Sequence, residues 1–141
     1  MRFLELIYFS QYYELKKSGR DPQKGRINGT LLSAVIIILN LASVIMLLFR
    51  YAPNTLLINW LDHEFGDYRG SGKALGQLTG AILIITIGGL LWITAGSKKS
   101  YNKIAEKYQQ LPDEVQHRTI RQALMIFLIS FVLFLLLIFV L

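Results

Sequence analysis

Three stretches of this chain, residues 30–49, 75–95 and 123–141, contain no ionisable side chain and are almost wholly apolar. Each is close to the ~20 residues that a helix rising about 1.5 Å per residue needs to cross a hydrocarbon layer of ~30 Å. A backbone in lipid must satisfy its own N–H and C=O groups, so such runs are expected as helices. The pattern predicts an all-α integral membrane protein with three transmembrane helices. Hydrophobic residues make up 53% of the chain. Because they are gathered into blocks rather than interleaved with charge, no separate soluble core is expected.

The basic residues predict an orientation. Residues 1–29 carry six Lys and Arg, residues 50–73 carry three, and residues 96–122 carry six. Short connections rich in Lys and Arg stay cytoplasmic, so the N-terminus is expected inside and the C-terminus outside, in a bacterial inner membrane. The net charge of +6 is thereby assigned to topology, and no nucleic-acid partner is expected, since no base-stacking module accompanies the lysines. The absence of cysteine excludes disulfides and thiolate metal sites. Residues 1–17 mix apolar side chains with Glu5, Gln11 and Glu14, unlike the continuous apolar core of a secretory signal.

Residues 1–29 read as an aromatic-rich helix followed by a basic, turn-rich link. Leu4, Tyr8, Tyr12 and Leu15 fall at helical spacing, with Phe3, Leu6, Ile7, Phe9 and Tyr13 widening the apolar side. That helix suits either the cytoplasmic membrane interface or docking against a protein. Gly19, Pro22, Gly25 and Gly29 in the link oppose regular structure. After the first span (30–49), the outer loop (50–73) is expected to hold a short interfacial helix with Leu57, Trp60, Leu61 and Phe65. The second span is expected to continue without a break through 74–110, giving a long helix that projects into the cytoplasm. Pro112, Asp113 and Glu114 form a helix-start pattern, so residues 111–141 supply a turn and a third helix, antiparallel to the second.

Association of helices in lipid rests on close backbone approach and a few hydrogen bonds. The second span offers Gly76, Gly80, Gly88 and Gly89 with Thr79, Thr86 and Thr94, expected to pack chiefly against the other spans of the same chain. Asn40, the most polar group of the first span, is expected to hydrogen-bond the second helix near Thr86 or a partner subunit. The third span has one polar residue, Ser130, and reads as a lipid-facing or docking surface.

Chemistry-bearing residues are sparse. His63 and Asp67, four apart within the segment from Asp62 to Tyr68, have a spacing that can present two metal ligands. No second histidine lies near, and a solvated loop is the expectation there. Lys99, Lys103 and Lys107 repeat at intervals of four, a basic stripe suited to anionic lipid headgroups or an acidic partner. No phosphate-cradling Gly-x-x-x-x-Gly-Lys-Ser/Thr loop and no His-Glu-x-x-His pair is present. Spans without charges do not suit a pump or proton-coupled transporter. An N-terminal interfacial helix followed by three spans resembles, in outline, the small bacterial diacylglycerol kinases. Those enzymes use acidic residues near the membrane surface to hold metal–ATP. The entry to the second span here offers Gln77 but no Asp or Glu.

The expectation is therefore a non-catalytic accessory or structural subunit without cofactor or metal, in contact with membrane lipids. It would pack against and stabilise or regulate a larger membrane protein complex. Two alternatives are a homo-oligomeric channel or small transporter using Ser33, Asn40, Thr79 and Thr86, and a lipid-active enzyme using the outer acidic cluster.

Overall fold

The first helix, α1 (Arg2–Lys17), ends where Gly19 takes a positive φ of 67°. Gly19 N–H donates to Lys16 O and Arg20 N–H to Leu15 O, satisfying carbonyls left over at the helix end. The chain turns through a short 3-10 segment, Pro22–Lys24, capped by the Asp21 carboxylate accepting from Gln23 N–H. It then enters α2 (Gly25–Tyr51). Further along come α3 (Ser71–Ile93), α4 (Lys98–Gln109) and α5 (Asp113–Val140). This computed structural model describes residues 2–52, Leu56, Trp60, His63 and residues 71–140. The described residues are helical with no strand. The expected grouping of Leu57, Trp60, Leu61 and Phe65, and the cluster from Asp62 to Tyr68, lie largely outside them.

Two helices, α2 and α5, are long and apolar enough to cross a membrane. A third span results if α3 and α4 are counted as one bent element. The molecule is thus an all-helical bundle with membrane-spanning capacity.

The second span does not run on into a long straight helix, as its sequence suggested. It stops at Ile93, and α4 leaves at 63°. The Thr94 hydroxyl donates back to Leu90 O at 2.6 Å, and Gly96 N–H donates to Leu91 O at 2.8 Å, closing the helix end. Ser97, with extended backbone, then caps α4 by accepting from Ser100 N–H. A serine at this position satisfies one of the free N–H groups of a new helix. The bend turns α4 back toward α1.

The link before the first span is also more helical than its glycines suggested, because α2 begins at Gly25 rather than Thr30. Gly25 and Gly29 lie one helical turn apart and are both buried. A Cβ on Gly29 would stand 2.6 Å from the Tyr8 ring, and one on Gly25 would run into the Tyr101 hydroxyl. These glycines serve close approach by aromatic rings, not a turn.

At one end of the bundle, α1 is enclosed by the start of α2, by α4 and by the start of α5. Ile7, Tyr8 and Phe9 are completely buried there. The second half of the molecule is looser. α2 packs against α3 and α5, while Leu78, Ile82 and Ile85 of α3 and Leu124, Met125 and Ile129 of α5 face outward. A water-soluble monomer rarely shows so extensive an apolar surface, whereas lipid covers one at no cost.

Candidate functional site

Most side-chain hydrogen bonds between helices among the described residues lie at the α1 end. Tyr8, Tyr12 and Tyr101 meet edge to face, with Tyr101 about 6 Å from each of the other two rings, and Phe9 stacks on Tyr108 at 5.0 Å. Helical periodicity alone puts Tyr8 and Tyr12 on one face of α1, and Tyr101 and Tyr108 on one face of α4. Their meeting follows from the bend at Gly96.

The phenols of Tyr8, Tyr12, Tyr101 and Tyr108 each find a partner. The Tyr8 hydroxyl lies 2.7 Å from Thr30 Oγ1, which itself donates to Arg26 O at 2.9 Å. The single Thr30 proton is thus engaged, and Tyr8 is the donor. The Tyr101 hydroxyl donates to Pro22 O at 2.7 Å, Gln109 Nε2 donates to the Tyr12 hydroxyl, and the Tyr108 hydroxyl donates to Glu5 Oε2 at 3.3 Å. Burial pushes the Tyr8, Tyr101 and Tyr108 phenols above the ordinary tyrosine range, because the anion is disfavoured away from water. They are hydrogen-bonded anchors rather than acid–base groups at neutral pH.

Arg26 ties the break between α3 and α4 to α2. Its Nε donates to Gly96 O at 2.8 Å, and its guanidinium sits 4.6 Å from the centre of the Trp92 ring. Glu5 and Lys107 form an ion pair at 2.6 Å. The hydrogen bond from Lys107 draws the Glu5 carboxyl below its ordinary value, and the same bond holds Lys107 above its own.

The sequence-derived candidates separate into several places. Asn40 does not reach Thr86. Its amide donates to Ser130 Oγ of α5 at 2.9 Å and to Ile36 O at 2.8 Å, while Thr86 lies exposed on α3. The helix following α2 in sequence is thus not the one that takes its polar group. Gly80, Gly88 and Gly89 do not pack against the other spans: a Cβ at any of them would meet nothing within 4 Å. The surroundings of Gly76 lie outside the described residues. The glycines in close intrachain packing are instead Gly25, Gly29 and Gly96. A signal for the first two was present, since Gly25 and Gly29 have the Gly-x-x-x-Gly spacing also found at Gly76 and Gly80.

Ser33 is buried with its Oγ unpartnered among the described residues, Asn40 is engaged with Ser130, and Thr86 faces outward, so these three do not line a common path within one chain. Of the basic stripe, Lys107 is committed to Glu5, while Lys99 and Lys103 are exposed. Lys103 and Lys107 border a shallow groove with Leu4, Thr94 and Ile104. His117 is exposed and meets the Tyr13 ring edge to face at 5.7 Å. No group of three or more His, Cys, Asp or Glu residues suited to a metal ion occurs among the described residues. The chain matches no protein-family model, no curated protein and no solved structure.

Proposed function

We propose that this chain is a three-span protein of a bacterial inner membrane, with the α1 end cytoplasmic, acting as a non-catalytic subunit that packs against a larger membrane assembly. The observation that carries the reading is the open space beside Gly80 and Gly88, which lie within about 80° of each other around α3. Gly80, Gly88 and Gly89 have open space at their Cβ positions, and Thr86 lies exposed. Glycine at these positions costs helix propensity of about 1 kcal/mol each relative to alanine, with no compensating contact among the described residues. Close approach of a helix from another subunit would supply that compensation.

The orientation rests on the distribution of Lys and Arg. Twelve of the fifteen basic residues belong to the two segments that build the α1 end, 1–29 and 96–122, which the positive-inside tendency retains in the cytoplasm. The bundle of α1, α4 and the helix starts would then be a small cytoplasmic anchor that fixes the angles at which the spans enter the membrane.

The test is purification in mild detergent from native membranes, with mass spectrometry of the accompanying proteins. A membrane protein at constant stoichiometry with the wild-type chain, lost from a Gly80→Ile/Gly88→Ile variant that still folds, is the expected result. Recovery of this chain alone, at a defined multiple of 16.1 kDa, would replace the accessory reading with a homo-oligomeric one.

A further inference from the structure

Outside the tyrosine cluster, a second set of cations lies where α1 crosses the start of α5. Arg2 of α1 and Arg118, Arg121 and Gln122 of α5 border one open groove, which continues along α5 past Met125 to Ile129. On α5 these residues recur at intervals of three and four, the spacing of a single helix face. One end of the groove is therefore basic and the other apolar.

We propose that this groove binds one anionic phospholipid, with its phosphate between the three guanidinium groups and an acyl chain along Met125 and Ile129. The assignment rests on the membrane reading given above and adds a specific lipid site to it.

Three features favour a lipid over a free phosphate. First, Arg118 and Arg121 directly precede the charge-free stretch that begins at Ala123, so they stand at headgroup level. Ile129, eight residues beyond Arg121, is about 12 Å deeper at 1.5 Å per residue. A soluble anion would leave that apolar wall bare, whereas Met125 and Ile129 are 52% and 61% exposed and suit a hydrocarbon chain. Second, no ion pair engages these guanidinium groups among the described residues. Glu5, the carboxylate nearest in sequence to Arg2, is occupied by Lys107 and Tyr108. Glu114 borders the groove one turn before Arg118, but no ion pair joins them among the described residues. Third, arginine presents a planar fork of donors matched to phosphate oxygens, and Gln122 adds an amide donor beside it.

The full chain, delipidated in detergent and given equimolar phosphatidylglycerol and phosphatidylcholine, is examined by native mass spectrometry. The expected result is preferential retention of one phosphatidylglycerol. Each cation near a headgroup contributes about fivefold to binding, so Arg118→Gln/Arg121→Gln is expected to lower retention roughly thirtyfold. Arg2→Gln, at the exposed start of α1, is expected to lower it about fivefold and serves if the double variant fails to fold. Lys99→Gln/Lys103→Gln, which removes the same charge from α4, is expected to leave retention unchanged. Equal losses from both double variants, or equal retention of the two lipids, would overturn the site. Displacement of the lipid by millimolar inorganic phosphate would overturn the choice of lipid as occupant. Recovery of the chain as a water-soluble protein without detergent would instead defeat the membrane reading itself.

Discussion

The Tyr8 hydroxyl donates to Thr30 Oγ1 across 2.7 Å, a bond that joins α1 to the start of α2. Gly96 lies against both residues: a Cβ there would stand 2.8 Å from Thr30 Oγ1 and 3.1 Å from the Tyr8 oxygen. The first helix, the start of α2 and the bend after α3 are thereby held at one point. Tyr8→Phe removes the donor but leaves Thr30 bonded to Arg26 O, so a loss of about 1 kcal/mol is expected. Gly96→Ala overfills the site, with an expected loss of about 1–3 kcal/mol. The loss in the double variant should be smaller than the sum of the two single losses, since Tyr8→Phe removes one of the atoms that the new methyl meets. Thermal unfolding of the four proteins in one detergent checks this.

Within the spans, the polar link is between Asn40 and Ser130. Asn40→Ala and Ser130→Ala are each expected to destabilise the folded chain by about 0.6–2 kcal/mol, the range of interhelical hydrogen bonds in membrane proteins. The double variant should cost little more than either one, because the same bond is lost. Thr86→Val is expected to leave stability unchanged. Denaturation in mixed micelles, followed by circular dichroism, distinguishes the two pairings.

The bare glycines of α3 make the opposite prediction from ordinary core glycines. Gly80→Ala, Gly88→Ala and Gly89→Ala meet no atom within 4 Å, so none should destabilise the isolated chain. Each is expected to gain up to about 1 kcal/mol from helix propensity. Melting temperatures of the purified monomer test this, and a drop at all three positions would show that these glycines are packed within the chain.

Glu5 and Lys107 predict how stability depends on pH. The Glu5 carboxyl lies below its ordinary 4.5 in the folded chain, so its contribution is present above 4.5 and is lost as pH falls through the lowered value. Lys107 lies above its ordinary 10.5, so its contribution is present below 10.5 and is lost as pH rises through the raised value. The pair is largely solvent-exposed on the lysine side, 58%, which limits its worth to about 0.2–1 kcal/mol. Glu5→Gln should therefore lower stability by that amount near neutral pH and by nothing in acid, where wild type and variant converge. The Tyr8, Tyr101 and Tyr108 phenols are raised by burial, so stability should also fall as pH climbs above their ordinary 10.0. Unfolding curves from acid to alkaline pH read both effects.

Part of the break between α3 and α4 was written locally. Gly96 followed by Ser97 is a helix stop next to a helix start, but the apolar run up to Ala95 and the helix-favouring residues after Ser100 mask it. The angle of 63° was not written there. It depends on Arg26 holding Gly96 O and on Tyr101 reaching Pro22 O, bonds between residues 70 and 79 positions apart. The groove beside Arg2 was equally hidden, because its cations come from opposite ends of the chain.

By itself the sequence determined what depends on neighbours along the chain: apolar blocks long enough to cross lipid, an α1 with helical periodicity, and a start to α5 just after Pro112. Hydrophobic transfer and backbone hydrogen bonding act over a few residues, so composition and period suffice for them. Only the tertiary structure decided which glycines admit a neighbour, which helix receives the Asn40 amide, and that α1 is enclosed by its own chain. Those outcomes are set by steric fit and by the pairing of buried polar groups between distant segments, and neither has a signature in local order.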